Sequence, residues 1–86
     1  MIEELLPDKE VSLRLSADDV RSSRVVKFLG DKRIVVRQTD PPVDSSSMMS
    51  LIFFTYRPQQ NSPDRMGFQA RIESITPDSM LFIRQL

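Results

Sequence analysis

The chain has 86 residues, enough for one small domain with a single core, so two domains are excluded. It has no histidine and no cysteine, which removes disulfide bonds, thiolate nucleophiles, the usual proton-transfer side chain and the commonest zinc ligand, and so disfavours an enzyme. The net charge is zero, but residues 21–37 hold six bases and one acid. This indicates either a basic face for an anionic partner or a basic hairpin beside an acidic first strand.

The sequence lacks the features of a membrane or secreted protein. No apolar run approaches the roughly 20 residues that cross a bilayer, and acidic rather than basic residues precede the first apolar pair. The absence of cysteine is typical of a reducing compartment. We therefore expect a soluble, cytoplasmic protein without membrane contacts.

The first predicted element is a strand over residues 10–16. It alternates strictly, with Val11, Leu13 and Leu15 on one side, as a half-buried strand requires. A polar connection over residues 17–19 leads to two further apolar runs.

These two runs, residues 20–29 and 33–38, predict a hairpin. The connection between them is short and contains a glycine, Gly30. With a three-residue loop, Phe28 faces Ile34 and Val26 faces Val36, which produces one continuous apolar face. The basic residues on the outer face would be Arg21, Lys27, Arg33 and Arg37.

The second half of the chain predicts three more strands. Residues 39–47 are rich in proline, aspartate and serine and form a loop, and residues 48–56 are apolar on both parities, which predicts a strand buried on both faces. After a second polar loop over residues 57–65, alternation resumes at Met66 and slips at Ser74 and Ile75, where we expect a β-bulge. A turn at residues 77–78 leads to the last strand, residues 79–86.

Six strands without a helical pattern predict an all-β fold, namely a six-stranded antiparallel split or closed barrel that forms a single domain over residues 1–86. Closure is favoured because an open sheet of this size would leave two edges and one bare face. The predicted core consists of Leu13, Val26, Phe28, Ile34, Val36, Phe53, Phe68, Ile72 and Phe82.

Basic residues are the one chemical signal in the chain. Arg33 and Arg37 are four apart on one strand face, about 13 Å between α-carbons, a spacing that spans two phosphates. Arg21 and Arg24 form a second cluster, with Arg24 expected on the apolar side near Gln38, at the barrel rim. These four arginines are weak candidate ligand-binding residues. We favour a solvated outer face instead, because nine arginines make one such spacing expected by chance.

Other binding chemistry is poorly supported. The close carboxylates, Asp18 with Asp19 and Asp40 with Asp44, are typical of solvated turns, so we predict neither a metal site nor a cofactor. Nucleic acid is disfavoured because four phenylalanines fall on core parities. The two remaining aromatic residues, Phe54 and Tyr56, lie on the strand expected to be buried.

The order of these features resembles a known bacterial domain. The segments that carry the resemblance are an apolar opening at residues 2–6, a strand at 11–15, Ser22-Ser23-Arg24 entering a hairpin, a strand ending at prolines over 35–42, an apolar strand at 51–56, Phe68-Gln69-Ala70-Arg71-Ile72 and a final strand at 79–83. Together they resemble the domain that precedes the PilZ domain in bacterial flagellar-brake (YcgR-like) proteins, which are cyclic-di-GMP receptors that regulate motility.

The chain departs from the PilZ domain itself. A PilZ domain binds cyclic-di-GMP through an Arg-x-x-x-Arg segment in a flexible lead-in and an Asp/Asn-x-Ser-x-x-Gly motif. Here Arg33 and Arg37 lie within a predicted strand, and residues 44–49 end in methionine where glycine is needed.

The resemblance therefore implies a non-catalytic accessory barrel of a cyclic-di-GMP signalling system, possessing no nucleotide site of its own and responding to cyclic-di-GMP only indirectly. Its partner would be another protein, a covalently linked PilZ domain of a longer chain, or a second copy. The alternative is a small anion- or nucleic-acid-binding barrel that uses the basic hairpin at residues 21–37.

Overall fold

The computed structural model of the chain describes residues 6–58 and 63–86, so most of the apolar opening and the middle of the second polar loop lie outside the described residues. The strands are β1 (Glu10–Ser16), β2 (Asp19–Gly30), β3 (Arg33–Arg37), β4 (Leu51–Tyr56), β5 (Met66–Ile75) and β6 (Met80–Gln85). One short 3₁₀ helix, Ser45–Ser47, lies in the loop between β3 and β4. No helix among the described residues is long and apolar enough to cross a membrane.

The six strands form a closed barrel in the order β1-β2-β3-β6-β5-β4, and every neighbouring pair is antiparallel. Pairing of β1 with β4 completes the ring. The predicted all-β, six-stranded antiparallel barrel is confirmed. Closure gives every strand two hydrogen-bonded neighbours, so no strand lies at the edge of a sheet.

The core fills the barrel interior with side chains from all six strands, together with Val43 of the loop between β3 and β4. Its members are Val11, Leu13, Val25, Ile34, Val36, Val43, Ile52, Phe54, Tyr56, Phe68, Ala70, Ile72, Leu81 and Ile83. At its centre the rings of Phe54 and Phe68 stack with centroids 4.9 Å apart. Leu15, Phe28 and Ile75 are partly buried and pack against the same cluster.

Three residues of the predicted core are not part of it. Val26 and Phe82 are half-buried outside the core cluster, and Phe53 is 42% exposed on the outer face. The prediction that β4 is buried on both faces is also wrong, since Leu51 is 51% exposed. The physical reason is that a single-layer barrel has one interior, so the outward residues of β4 meet solvent whatever their polarity.

The β2–β3 hairpin combines a correct pair with a wrong one. Phe28 pairs with Ile34 as predicted, but Val36 pairs with Val25, because Val26 is an extra residue in a β-bulge. The bulge resets the alternation, so Val25 and Phe28 both contact the core although they are three residues apart.

The loop of this hairpin has two residues, not three. Gly30 pairs with Arg33, and the intervening Asp31 and Lys32 have φ of 54° and 62°. Positive φ at both central positions is the requirement of a type I′ turn, whose twist matches that of the strands. A second bulge, at Leu29, then restores the pairing of Phe28 with Ile34. The bulge predicted near Ser74 in β5 is present one residue earlier, at Glu73.

Candidate functional site

The four arginines predicted as candidate ligands do not gather at one place. Arg21 lies opposite Leu13, whose side chain is in the core, so the prediction that Arg21 is on the outer face is wrong. Its Nε and Nη2 each donate to a carboxylate oxygen of Asp19 at 3.0 Å, and Nη1 donates to the carbonyl of Pro41 at 2.9 Å. The hydrogen bonds to Asp19 raise the pKa of Arg21. Arg21 therefore joins β2 to the proline loop and has little capacity left for a ligand.

Arg24 and Arg37 are exposed and share an acidic neighbour. Arg24 donates to the backbone carbonyl of Asp8 at 2.9 Å and lies 3.5 Å from the Glu10 carboxylate, while Arg37 lies 3.9 Å from the Asp8 carboxylate. Arg24 lies on the outer face opposite Glu10, so its predicted position on the apolar side near Gln38 is wrong; the bulge at Val26 shifted the parity. Such exposed pairs contribute about 0–1 kcal/mol each and leave both groups partly neutralised.

Arg33 belongs to a different group, which the sequence did not reveal. It pairs across strands with Arg84 of β6, and Arg84 pairs in turn with Arg71 of β5. Directly opposed residues in antiparallel strands have β-carbons about 4.5–5.5 Å apart. Three guanidinium side chains thus project from one line across the outer face of β3, β6 and β5, which we call the arginine row.

The arginine row has one close counter-charge among the described residues. Arg84 Nε donates to Glu73 Oε2 at 2.8 Å, which raises the pKa of Arg84. Among the described residues, the buried Nε of Arg33 has no hydrogen-bond acceptor, and the exposed side chain of Arg71 forms no hydrogen bond or ion pair. The row is therefore rich in donors and short of acceptors.

The wall beside the arginine row is apolar. Val35 is completely buried although it faces outward and lies outside the core cluster. Its cross-strand neighbours are Phe82 and Lys27. Long basic side chains cover such residues with their methylene stems while their charged ends stay in water. The outer face of this hairpin is thus a packed surface and not merely a solvated one.

A second surface lies on the outer face of β4 and extends across β1 to the start of β2. Its exposed apolar residues are Leu51 and Phe53 of β4 and Val20 of β2, which we call the apolar patch. Phe53 pairs with Arg14, which pairs in turn with Val20, and Leu51 pairs with Arg71 at one end of the arginine row. The patch and the row are therefore contiguous. A shallow depression of about 210 Å³ runs along the patch beside Leu15.

A larger cavity, of about 430 Å³, lies at the start of β1. Bases and acids both line it, namely Lys9, Arg57 and Arg65 with Asp8 and Glu10. Some of these basic groups already have hydrogen-bond partners within the chain. Arg65 donates to the hydroxyls of Ser12 and Thr55 at 3.2 and 3.0 Å. Lys9 Nζ lies 5.9 Å from the centre of the Tyr56 ring and donates to the Pro58 carbonyl.

Of the carboxylates predicted to lie in solvated turns, Asp18, Asp40 and Asp44 lie outside the strands, whereas Asp19 begins β2 and is bonded to Arg21. Asp44 caps the 3₁₀ helix by accepting from the backbone N–H and the hydroxyl of Ser46, and these hydrogen bonds lower the pKa of Asp44. Within residues 6–58 and 63–86, no three acidic side chains are grouped so as to hold a metal ion.

Burial of the aromatic residues of β4 agrees with the prediction for Phe54 and Tyr56 and differs for Phe53, which was expected in the core. Phe54 and Tyr56 are completely buried, and the exposed ring is that of Phe53. The apolar run alone did not distinguish the two parities of β4. For the arginine row a partial signal existed at Arg71, which lies between Ala70 and Ile72 in an alternating strand and so faces outward. The adjacency of Arg71 and Arg84 depends on the register of β5 and β6, which no local pattern specifies.

Comparison of the chain with protein-family models, with curated proteins and with solved structures gives no match.

Proposed function

We propose that the chain is a non-catalytic protein-interaction barrel that serves as an accessory domain in a bacterial PilZ-type cyclic-di-GMP system controlling motility, and that it works in the cytoplasm. The observation that carries the proposal is the apolar patch, where Phe53 and Leu51 remain 42% and 51% exposed. Apolar and aromatic residues of this kind form the centres of protein interfaces.

The surroundings of the patch suit a protein partner. Arg14 and Gln69 flank Phe53 on the neighbouring strands, so an apolar centre is rimmed by polar groups. The ring of Phe53 also rests on the backbone at Gly67, which limits its motion before binding. A partly immobilised aromatic anchor loses little entropy when a partner covers it. A PilZ domain, linked to the chain or separate, is the partner that the resemblance of the segment order favours.

The placement of the arginines supports an indirect role for cyclic-di-GMP. Arg33 and Arg37 have different neighbours, since Arg33 faces Arg84 whereas Arg37 faces the Asp8 carboxylate. Both are on a paired strand and not in a flexible lead-in. We propose that the partner binds the nucleotide and that the barrel transmits or modulates the response.

An anion- or nucleic-acid-binding barrel based on residues 21–37 is the second candidate, and the same contacts count against it. Of the four arginines that it would use, Arg21, Arg24 and Arg37 each contact an acidic residue within the chain.

The test is an NMR titration of the labelled chain with a purified PilZ domain of a flagellar-brake protein, with and without cyclic-di-GMP. We expect shift changes on β1, β4 and β5, and an affinity about tenfold weaker in Phe53→Ser. Lys27→Ser, at an exposed position on the other side of the barrel, is the matched control and should bind normally. Absence of binding, or equal binding by both variants, would disprove the proposed docking surface.

A calorimetric titration of the isolated chain with cyclic-di-GMP tests the other half of the proposal. We expect no binding. Micromolar 1:1 binding at physiological salt that disappears in Arg37→Ala, a residue outside the arginine row, would make the hairpin itself the nucleotide site.

A further inference from the structure

We propose that the arginine row, Arg33 with Arg84 and Arg71, is a binding site for a small anion with two directly linked phosphate groups, such as a diphosphate, and not for a cyclic dinucleotide, whose two phosphodiesters are separate. The site lies on β3, β6 and β5 and is independent of the proposed docking function. It also differs from the candidate set of the hairpin, because two of its three arginines come from the last two strands.

The first argument is electrostatic. Like charges placed directly opposite each other on antiparallel strands destabilise a sheet, and the row contains two such pairs in succession, Arg33 with Arg84 and Arg84 with Arg71. Glu73 is bonded to Arg84 alone, and Asp31 contributes only a weaker, more distant attraction to Arg84. A bound anion would supply the missing negative charge to all three positions.

The second argument concerns unsatisfied donors. Arg33 Nε is buried without an acceptor, which is uncommon for a polar atom in a folded protein. Arg71 has all its donors free of described partners, and Glu73 occupies only the Nε of Arg84. Phosphate oxygens are the acceptors that these planar donor groups match bidentately.

The length of the row sets the size of the ligand. Two successive cross-strand steps span about 10 Å between the outer β-carbons, which flexible arginine side chains can close around two linked phosphate groups. A single-stranded nucleic acid would need several exposed rings for base stacking, whereas the exposed ring next to the row is that of Phe53. A small anion therefore fits the row better than a polymer.

The experiment is a titration of the labelled full chain with inorganic pyrophosphate at constant ionic strength, combined with thermal unfolding. We expect saturable shift changes at Arg33, Arg71 and Arg84, and a rise in Tm that chloride at the same ionic strength does not produce. Equal responses to pyrophosphate and chloride would overturn the proposal, because they would indicate general screening.

Variants locate the binding at the row. Arg71 is exposed, so Arg71→Gln should leave the fold intact and weaken pyrophosphate binding by about fivefold or more. The Tm without anion should be unchanged or higher, because the substitution removes a like-charge pair. Glu73→Gln frees Arg84 and should strengthen binding. Arg57→Gln, on the loop at the other end of β4, is the matched control. Unchanged affinity in Arg71→Gln would disprove the site.

Two further titrants test the ligand class. The first is an oligothymidylate. If it binds about tenfold more tightly than pyrophosphate, and if this binding depends on Phe53, the small-anion proposal is overturned and the ligand is single-stranded nucleic acid. Vesicles with an anionic phospholipid distinguish a lipid headgroup from a free phosphate. Binding to vesicles that is lost in Arg71→Gln and outcompeted by pyrophosphate would support the same phosphate chemistry with a lipid source.

Discussion

The ring of Phe53 lies directly against Gly67 on the outer face of the barrel. A β-carbon at position 67 would lie 2.8 Å from Cε2 and 2.9 Å from Cζ of that ring, closer than any side chain tolerates. Glycine in a strand interior usually weakens the strand, and here its missing side chain provides the surface on which the aromatic ring rests. The exposed centre of the apolar patch is thus positioned by a residue on the neighbouring strand.

Gly67→Ala should displace the ring and reduce the free energy of unfolding by about 1–2 kcal/mol, because the new methyl group would overlap Cε2 and Cζ of Phe53. Urea denaturation measures the loss. In a Phe53→Ala background the ring is absent, so most of the penalty should disappear. The same penalty in both backgrounds would mean that the ring does not rest on Gly67.

Adjacent phenylalanines of β4 should differ sharply in their contribution to stability. Phe54 is completely buried and stacks on Phe68, so Phe54→Ala should cost about 3–5 kcal/mol. Phe53→Ala removes a ring that is 42% exposed and should cost about 1 kcal/mol or less. Chemical denaturation of the two variants under the same conditions makes the comparison. A larger loss of unfolding free energy in Phe53→Ala than in Phe54→Ala would contradict the assigned orientation of β4.

Gln38 should be more important than an ordinary polar residue after a strand. Its Oε1 accepts from the backbone N–H groups of Thr39 and Val43 at 3.0 and 2.9 Å, and its Nε2 donates to the Val43 carbonyl at 3.0 Å. Gln38→Ala should cost about 2 kcal/mol and speed amide exchange at Val43, since buried backbone groups lose their partners. Gln69→Ala, an exposed residue of β5, should stay within about 0.5 kcal/mol. Equal losses of stability in Gln38→Ala and Gln69→Ala would show that the loop does not depend on the Gln38 side chain.

Ionisation of Asp44 should favour folding. Because hydrogen bonds from Ser46 lower the pKa of Asp44 in the folded state, the folded chain prefers the charged carboxylate. The resulting stabilisation is present above the pKa of the unfolded chain and is lost as pH falls through the lower, folded pKa. A carboxyl NMR titration should place the Asp44 pKa below that of an unfolded aspartate, and Ser46→Ala should raise it. An unchanged value in Ser46→Ala would contradict the assigned cause.

Local patterns were sufficient to predict the strand content of the chain. The strict alternation around Val11 and Leu13 predicted β1 with its observed ends, and the phase slip in β5 predicted a bulge within one residue of Glu73. The pairing of Phe28 with Ile34 was predicted from a three-residue loop, and a two-residue turn with a bulge at Leu29 gives the same pairing. The size and the number of strands then favoured closure of the barrel.

Long-range pairing decided the remaining features. Alternation separates two faces of a strand but does not state which face is inside when both are apolar, so the orientation of Phe53 and Phe54 depended on the register of β4 with β1 and β5. The bulge at Val26 likewise followed from fitting Val25 and Phe28 into one core. The arginine row joins three strands whose residues are far apart in sequence, so its existence depends on the tertiary register, which bulges and cross-strand packing set together.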